Sequence, residues 1–231
     1  ATGSKRQNQT PLPATKRQQS VISNRYSVGT NSPITDPPIT EQEVTMWFET
    51  IIREETGCAA YMVGCQRTNE CMVFDPLWDI QPYLDMAAEK ESKIRYIIDS
   101  HSHADHVSGA RRLAQATGGE LMLPELTEIE YDATRLKHGD LIEMGGVGLE
   151  VVHVPGHRPE QINILVYDYP RGNDPWFILT ADFVMVGDVA RPDLAQAGDE
   201  GAPVLYDVSI PRFLNLPDYV EVYPGHLAGS T

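Results

Sequence analysis

A sheet-rich α/β domain with a single core is what this sequence predicts, on two observations. Its 231 residues fall in the range of roughly 200 to 250 that commonly form one sheet-containing domain. From residue 44 onward, short apolar segments alternate with turn residues and with two or three helical stretches, the punctuation of strands and helices packed in layers. No internal repeat is evident, so neither a solenoid nor a propeller is indicated.

Taken in order, residues 1–40 are rich in Ser, Thr, Gln and Pro without apolar periodicity, and a flexible, disordered tail is expected there. Lys5, Arg6, Lys16, Arg17 and Arg25 against Asp36 make this tail +4 and leave the remainder at −19. A targeting arm would need an amphipathic helix, which its prolines oppose. The folded domain is expected over 41–231. The acid-rich segment 41–55 reads as a solvated helix face. Strands are predicted at 59–64, 72–75, 93–98, 148–154, 162–166 and 176–180, and helices at 80–90, 104–117 and about 205–214. Gly118 and Gly119 supply a stop for the second helix.

Composition excludes several functions. A net charge of −15, from 33 acidic and 18 basic residues, repels polyanions and argues against a nucleic-acid partner. Cys58, Cys65 and Cys71 are odd in number and match no zinc knuckle, so packing in a reducing compartment is expected of them. No apolar run approaches the roughly 18 to 20 residues that span a bilayer, and no secretory h-region follows the N-terminus. A soluble cytoplasmic protein without a membrane partner is therefore expected, with a mitochondrial location open for a eukaryotic source.

The strongest chemical signal follows the apolar segment 94–98, where His101, His103, Asp105 and His106 put four potential metal ligands within six residues. On an extended backbone, residues two apart point the same way, so His101 and His103 are expected on one side. Three later residues stand at strand-to-loop junctions: His157 after Pro155-Gly156, Asp182 after the apolar run 176–179, and His226 after Pro224-Gly225. Singly each would be an ordinary turn residue; together they supply what closes a coordination shell. His138 and His153 sit in a turn and a strand and are given no role.

The stretches HSHADH (101–106), VPGH (154–157), TAD (180–182) and YPGH (223–226) resemble the ordered metal motifs of the metallo-β-lactamase superfamily. That resemblance implies an αββα sandwich, two facing mixed β-sheets with outer helices. It implies His101, His103 and His157 at one metal position, Asp105, His106 and His226 at a second, and Asp182 able to bridge. Three further stretches, at 61–79, 186–194 and 220–230, resemble the persulfide dioxygenases and the related proteins carrying rhodanese domains. In that family two histidines and a carboxylate bind iron(II), which carries over to His101, His157 and Asp182, one iron per chain. His103, Asp105, His106 and His226 then become a second shell or second site, and Arg191 matches the position contacting the glutathione moiety. The implied reaction oxidises a glutathione-type persulfide with O2 to sulfite and thiol. Three positions depart from the family's usual pattern: Ala181 and Ala190 stand where glycine is typical, and Arg158 follows His157 where threonine is common. Only five residues follow His226, where family members continue, so a domain truncated at its C-terminus is expected.

Two other classes stay open at this stage. A thioester hydrolase of the glyoxalase II type would use one or two zinc ions and all seven ligand-type residues. A non-catalytic metal-binding protein would retain metal without turnover. A homodimer is compatible with all three.

Overall fold

The computed structural model describes residues 46–53, 57–194 and 198–227. The expected tail over 1–40 and the first residues of the expected domain lie outside this range. Six strands form a first mixed sheet in sequence order: β1 (Met46–Arg53), β2 (Cys58–Cys65), β3 (Glu70–Phe74), β4 (Lys93–Ile98), β5 (Glu120–Pro124) and β6 (Thr134–Leu136). The first three are antiparallel neighbours, and β3 through β6 run parallel. The second sheet contains β7 (Leu141–Met144), β8 (Val147–His153), β9 (Ile162–Asp168) and β10 (Phe177–Ala181). A two-stranded ribbon, β11 (Val184–Met185) and β12 (Asp188–Val189), follows β10, and β13 (Glu221–Pro224) completes the second sheet in the order β13-β10-β9-β8-β7. This is the predicted pair of mixed sheets.

The period of two along each strand divides the side chains between layers. Tyr61, Val63, Met72, Phe74, Leu149, Val151, Ile164 and Leu179 meet between the sheets. Ala60, Met62 and Val73 turn outward under α1 (Gln81–Glu89) and α2 (Ala110–Thr117). Val152, Leu165 and Ile178 lie under a third helical stretch, made of α3 (Gly198–Val204), a π-helical turn at Leu205–Ser209 and α4 (Ile210–Leu214). Burying one such side chain contributes roughly 1.5 to 3 kcal/mol, so the four layers hold together chiefly by this interleaving.

Two expected elements differ. The segment read as a helix face over 41–55 contains β1, whose eight residues all pair with β2. Its Trp, Phe, Thr and Ile residues favour a pleated strand, and Glu49, its one acid, and Arg53 sit on the edge strand of the sheet. The second helix starts at Ala110 rather than 104. Ser108 Oγ is held against both Asp99 carboxylate oxygens (2.9 and 2.7 Å) and accepts the Ala110 N–H at 3.0 Å, which uses a first-turn donor and leaves 104–109 as an irregular loop. The helix ends at Gly118 (φ 70°), a left-handed cap that glycine adopts without steric cost.

Strand direction gathers the candidate site. Because β9 is antiparallel to both β8 and β10, those two strands end at the same edge, and β13, parallel to β10, ends there too. β4 brings its following loop to this edge from the first sheet, where Ile162 N–H donates to Ser100 O at 2.9 Å. A second stitch joins the start of β2 to the end of β13: Ala59 N–H donates to Gly225 O (2.8 Å) and Leu227 N–H to Gly57 O (3.0 Å).

Candidate metal centre

His101, His157 and Asp182 converge from the ends of β4, β8 and β10. Asp182 Oδ2 lies 3.7 Å from His101 Nε2 and 3.5 Å from His157 Nε2, and the three donor atoms all lie within 4.8 Å of one another. His101 is 2% exposed, and its Nε2 has no hydrogen-bond partner. A buried polar atom without a partner is costly, and here it faces two other ligand atoms. Ser100 Oγ, 2.8 Å from His101 Nδ1, fixes the ring in that direction, as outer partners of metal-bound imidazoles do. This donor set fits a divalent transition metal: two neutral imidazoles and a carboxylate on one face.

The electrostatics suit that set. Burial, with His103 alongside, pushes His101 down to about 3, and burial also lowers His157, so both imidazoles are neutral near pH 7, the form that can ligate a metal. Burial would raise Asp182, but His226, His101 and His157 hold it at about 2, as an anion.

The other expected ligands divide into two groups. His103 packs 4.2 Å from His101, ring centre to ring centre, yet its Nε2 turns to Asp75 Oδ1 at 3.2 Å. Against the lowering effect of burial, Asp75 raises His103 to about 9. His103 is thus a buried cation paired with Asp75, which also accepts the Ser100 N–H at 2.6 Å. Asp105 and His226 meet at 3.4 Å, and His226 Nε2 stands 3.3 Å from the second Asp182 oxygen, Oδ1. His106 directs Nδ1 to Asp105 Oδ1 at 3.1 Å, and this contact lowers Asp105.

A cavity of about 260 Å³ is lined by Ser102, Leu126, Glu128, Arg158, Pro159 and Glu160, of which Ser102 and Arg158 directly follow His101 and His157 in the chain. The buried Glu160 carboxylate accepts from Ser102 N (3.1 Å) and Arg158 Nε (3.4 Å), which holds Arg158 at the cavity wall. Arg191 is exposed, with its guanidinium engaged by Asp193 at 3.2 and 2.6 Å. His153 Nε2 lies 2.7 Å from Pro159 O, and His138 is exposed; neither approaches the ligand set.

Sequence reasoning missed Asp75 and Cys58. Asp75 closes an apolar strand with φ 52°, and an acid at the end of β3, beside β4, was the available signal. Cys58, expected only to pack, is buried but also places Sγ 3.5 Å from Asp105 Oδ2. No described helix is long and apolar enough to cross a membrane.

The chain is similar to several proteins of known activity or structure. The human mitochondrial persulfide dioxygenase ETHE1 is 27% identical over 177 residues, covering 75% of this chain and 65% of that protein. The hydroxyacylglutathione hydrolase of Aeromonas hydrophila is 31% identical over 168 residues, covering 72% of this chain and 60% of that one. The chain therefore spans somewhat under two thirds of these relatives' lengths. The crystal structure of ETHE1 from Myxococcus xanthus superposes with a TM-score of 0.69 at 27% identity, covering 80% of this chain and 78% of that one. Residues 53–226 match the model of the metallo-beta-lactamase superfamily, and the chain belongs to that superfamily.

Proposed function

We propose that the chain is an iron(II)-dependent persulfide dioxygenase, with His101, His157 and Asp182 as the iron ligands. The observation that carries this reading is the separation of His101 from His103. One is a neutral ligand facing His157 and Asp182; the other is a cation held by Asp75. Three ligands on one face, rather than four or more, is the arrangement that leaves adjacent positions open for a sulfur substrate and dioxygen. The similarity to persulfide dioxygenases by sequence and by fold supports the same reading.

Bound iron(II) would supply the redox chemistry toward dioxygen that zinc lacks. The chain's own groups do the rest. His101 and His157 stay unprotonated because they are buried, and Asp182 contributes the anion that balances part of the metal charge. Persulfide, dioxygen and water become thiol, sulfite and two protons. The cavity lined by Ser102 and Arg158, the residues that follow His101 and His157, is the space we assign to the thiol carrier. Arg191 would hold a carrier carboxylate only by exchanging its Asp193 partner, since a guanidinium binds one carboxylate bidentately at a time.

Oxygen uptake with glutathione persulfide, measured on protein purified anaerobically from iron-supplied, zinc-depleted medium, tests the reading. About one iron per chain and persulfide-dependent uptake are expected. No uptake, with zinc-dependent hydrolysis of a hydroxyacylglutathione, would move the assignment to a binuclear hydrolase. The approach of His226 to both Asp105 and Asp182 and the Aeromonas hydrophila relative favour that second reading.

A further inference from the structure

The outer face of the second sheet does not close completely under its helices. Glu150 and Val152 on β8, Asn163 and Leu165 on β9, and Ile178 on β10 are cross-strand neighbours, so the period of two turns all five to that face. With Arg212 and Phe213 from α4, and Leu216 from the turn after it, they line a second cavity, also of about 260 Å³. At roughly 30 Å³ for each water-sized group, it takes about nine, the scale of an eight-carbon chain.

Charge says what that space would take. Arg212 is half-buried, its guanidinium donates through one nitrogen to His153 O, and no carboxylate among the described residues forms an ion pair with it. A cation with water on one side, buried Leu165 and Ile178 on the other and no counter-charge favours an anion in the same space. The acid in the wall, Glu150, has its Oε2 taken by the Tyr167 O–H at 2.5 Å. The Asn163 amide is spent on the Ile162 and Thr180 carbonyls, at 3.3 and 3.0 Å. We propose that this cavity binds an amphipathic, medium-chain carboxylate, with its anionic head on Arg212 and its tail over Val152, Leu165 and Ile178.

The helical wall is held in place by the chain itself. Ser209 Oγ donates to Pro155 O at 2.6 Å, and Leu205 packs so closely on Gly156 that a Cβ added there would stand 2.7 Å from the leucine Cβ. With the Arg212 contact to His153 O, these ties fix the helical stretch on residues 153–157, and a fixed apolar space with one polar anchor is the usual form of a small-molecule site. An occupant lies on the face of the sheet turned away from the inter-sheet core, against the stretch that holds the turn before His157. It binds there whether the triad acts on a persulfide or on a thioester.

Isothermal titration calorimetry of the full chain with octanoate tests the site. One octanoate per chain is expected, with a dissociation constant of about 1 mM or tighter. Arg212→Gln should weaken binding at least about 10-fold, and Leu216→Trp, at a half-buried position of the wall, should block it by filling the space, with circular dichroism confirming that each variant is folded. Glu150→Gln should not weaken binding, and octylammonium should not bind. His101→Ala should bind octanoate as the wild type does, because the carboxylate does not sit on the triad. Binding unchanged by Arg212→Gln or by a folded Leu216→Trp, weakened by Glu150→Gln or lost in His101→Ala would overturn the proposal. So would the absence of saturable binding, or octylammonium binding as well as octanoate.

Discussion

His101 and His103 leave the chain two residues apart, on one loop and in ring contact, and they end in opposite electrostatic states. His101 faces His157 and Asp182, is pushed down to about 3 and is neutral; His103 faces Asp75, is raised to about 9 and is charged. Sequence spacing sets only the direction in which both rings set out. The acid each ring nitrogen meets decides the rest, and Asp75, 28 residues before His103, arrives from a different strand. Ligand capacity is therefore a tertiary property even within so compact a motif.

Metal affinity should break the comparison most visibly. Removing a ligand costs more than removing an outer partner, for which losses of about 10- to 100-fold are usual. His101→Ala is expected to weaken iron binding more than about 100-fold, and His103→Ala less than about 10-fold, by dialysis against graded chelator and metal analysis. Equal losses would place His103 in the ligand shell and remove the basis for a three-ligand centre.

Backbone approach comes next in size. A Cβ at Gly225 would stand 2.8 Å from Asp182 Oδ1 and 3.0 Å from the Ala181 carbonyl carbon. Main chain and ligand cannot both yield, so Gly225→Ala should destabilise the protein by about 1 to 3 kcal/mol and lower metal affinity about 10-fold. Gly118→Ala, far from the site and with open space around the added methyl group, should cost about 1 to 2 kcal/mol for its left-handed backbone and leave metal affinity unchanged. Urea melts paired with metal titration separate the two.

The pH dependence of the metal-free chain gives the pair opposite slopes. His101 titrates below the ordinary 6.5 when folded, so the unfolded chain binds more protons between about 3 and 6.5, and stability rises with pH there. His103 titrates above 6.5 when folded, so its contribution is complete below 6.5 and is lost as pH rises toward about 9. His101→Gln should flatten the acid limb of the urea midpoint against pH, and His103→Gln or Asp75→Asn the alkaline limb. An alkaline limb unchanged in Asp75→Asn would show that this pair is not what raises His103.

What the sequence could show follows from the range of the forces involved. Strands such as β2 and β9 are legible because runs of apolar residues have few other places to go, and the three residues after Pro-Gly turns or apolar runs are legible because strand ends in a layered fold gather at an edge. β1 was not, because an edge strand carries charges like a solvated helix. The start of α2 depended on a contact between Asp99 and Ser108. Cys58 depended on a bridge to His226 across 168 residues, and local composition carries no trace of either. The resemblance to a family supplied the order of ligands but not the Asp75 clamp.

The smallest effect is expected at Ala181, where the argument is one of cancellation. This residue precedes the proposed ligand Asp182 with φ 46°, a conformation costing an L-residue about 1 to 2 kcal/mol. Glycine would remove that strain. It would also surrender a fully buried methyl group between the sheets, worth about 0.8 kcal/mol, and add roughly 0.5 to 1 kcal/mol of unfolded-chain entropy. These terms nearly cancel, so Ala181→Gly should change stability by less than about 1 kcal/mol and leave metal affinity where it is. A loss above about 2 kcal/mol in urea unfolding would mean that the methyl group anchors the Asp182 turn. A weaker metal at unchanged stability would mean that the left-handed alanine itself aims the carboxylate, and would bring the turn after β10 into the same tertiary logic that separates His101 from His103.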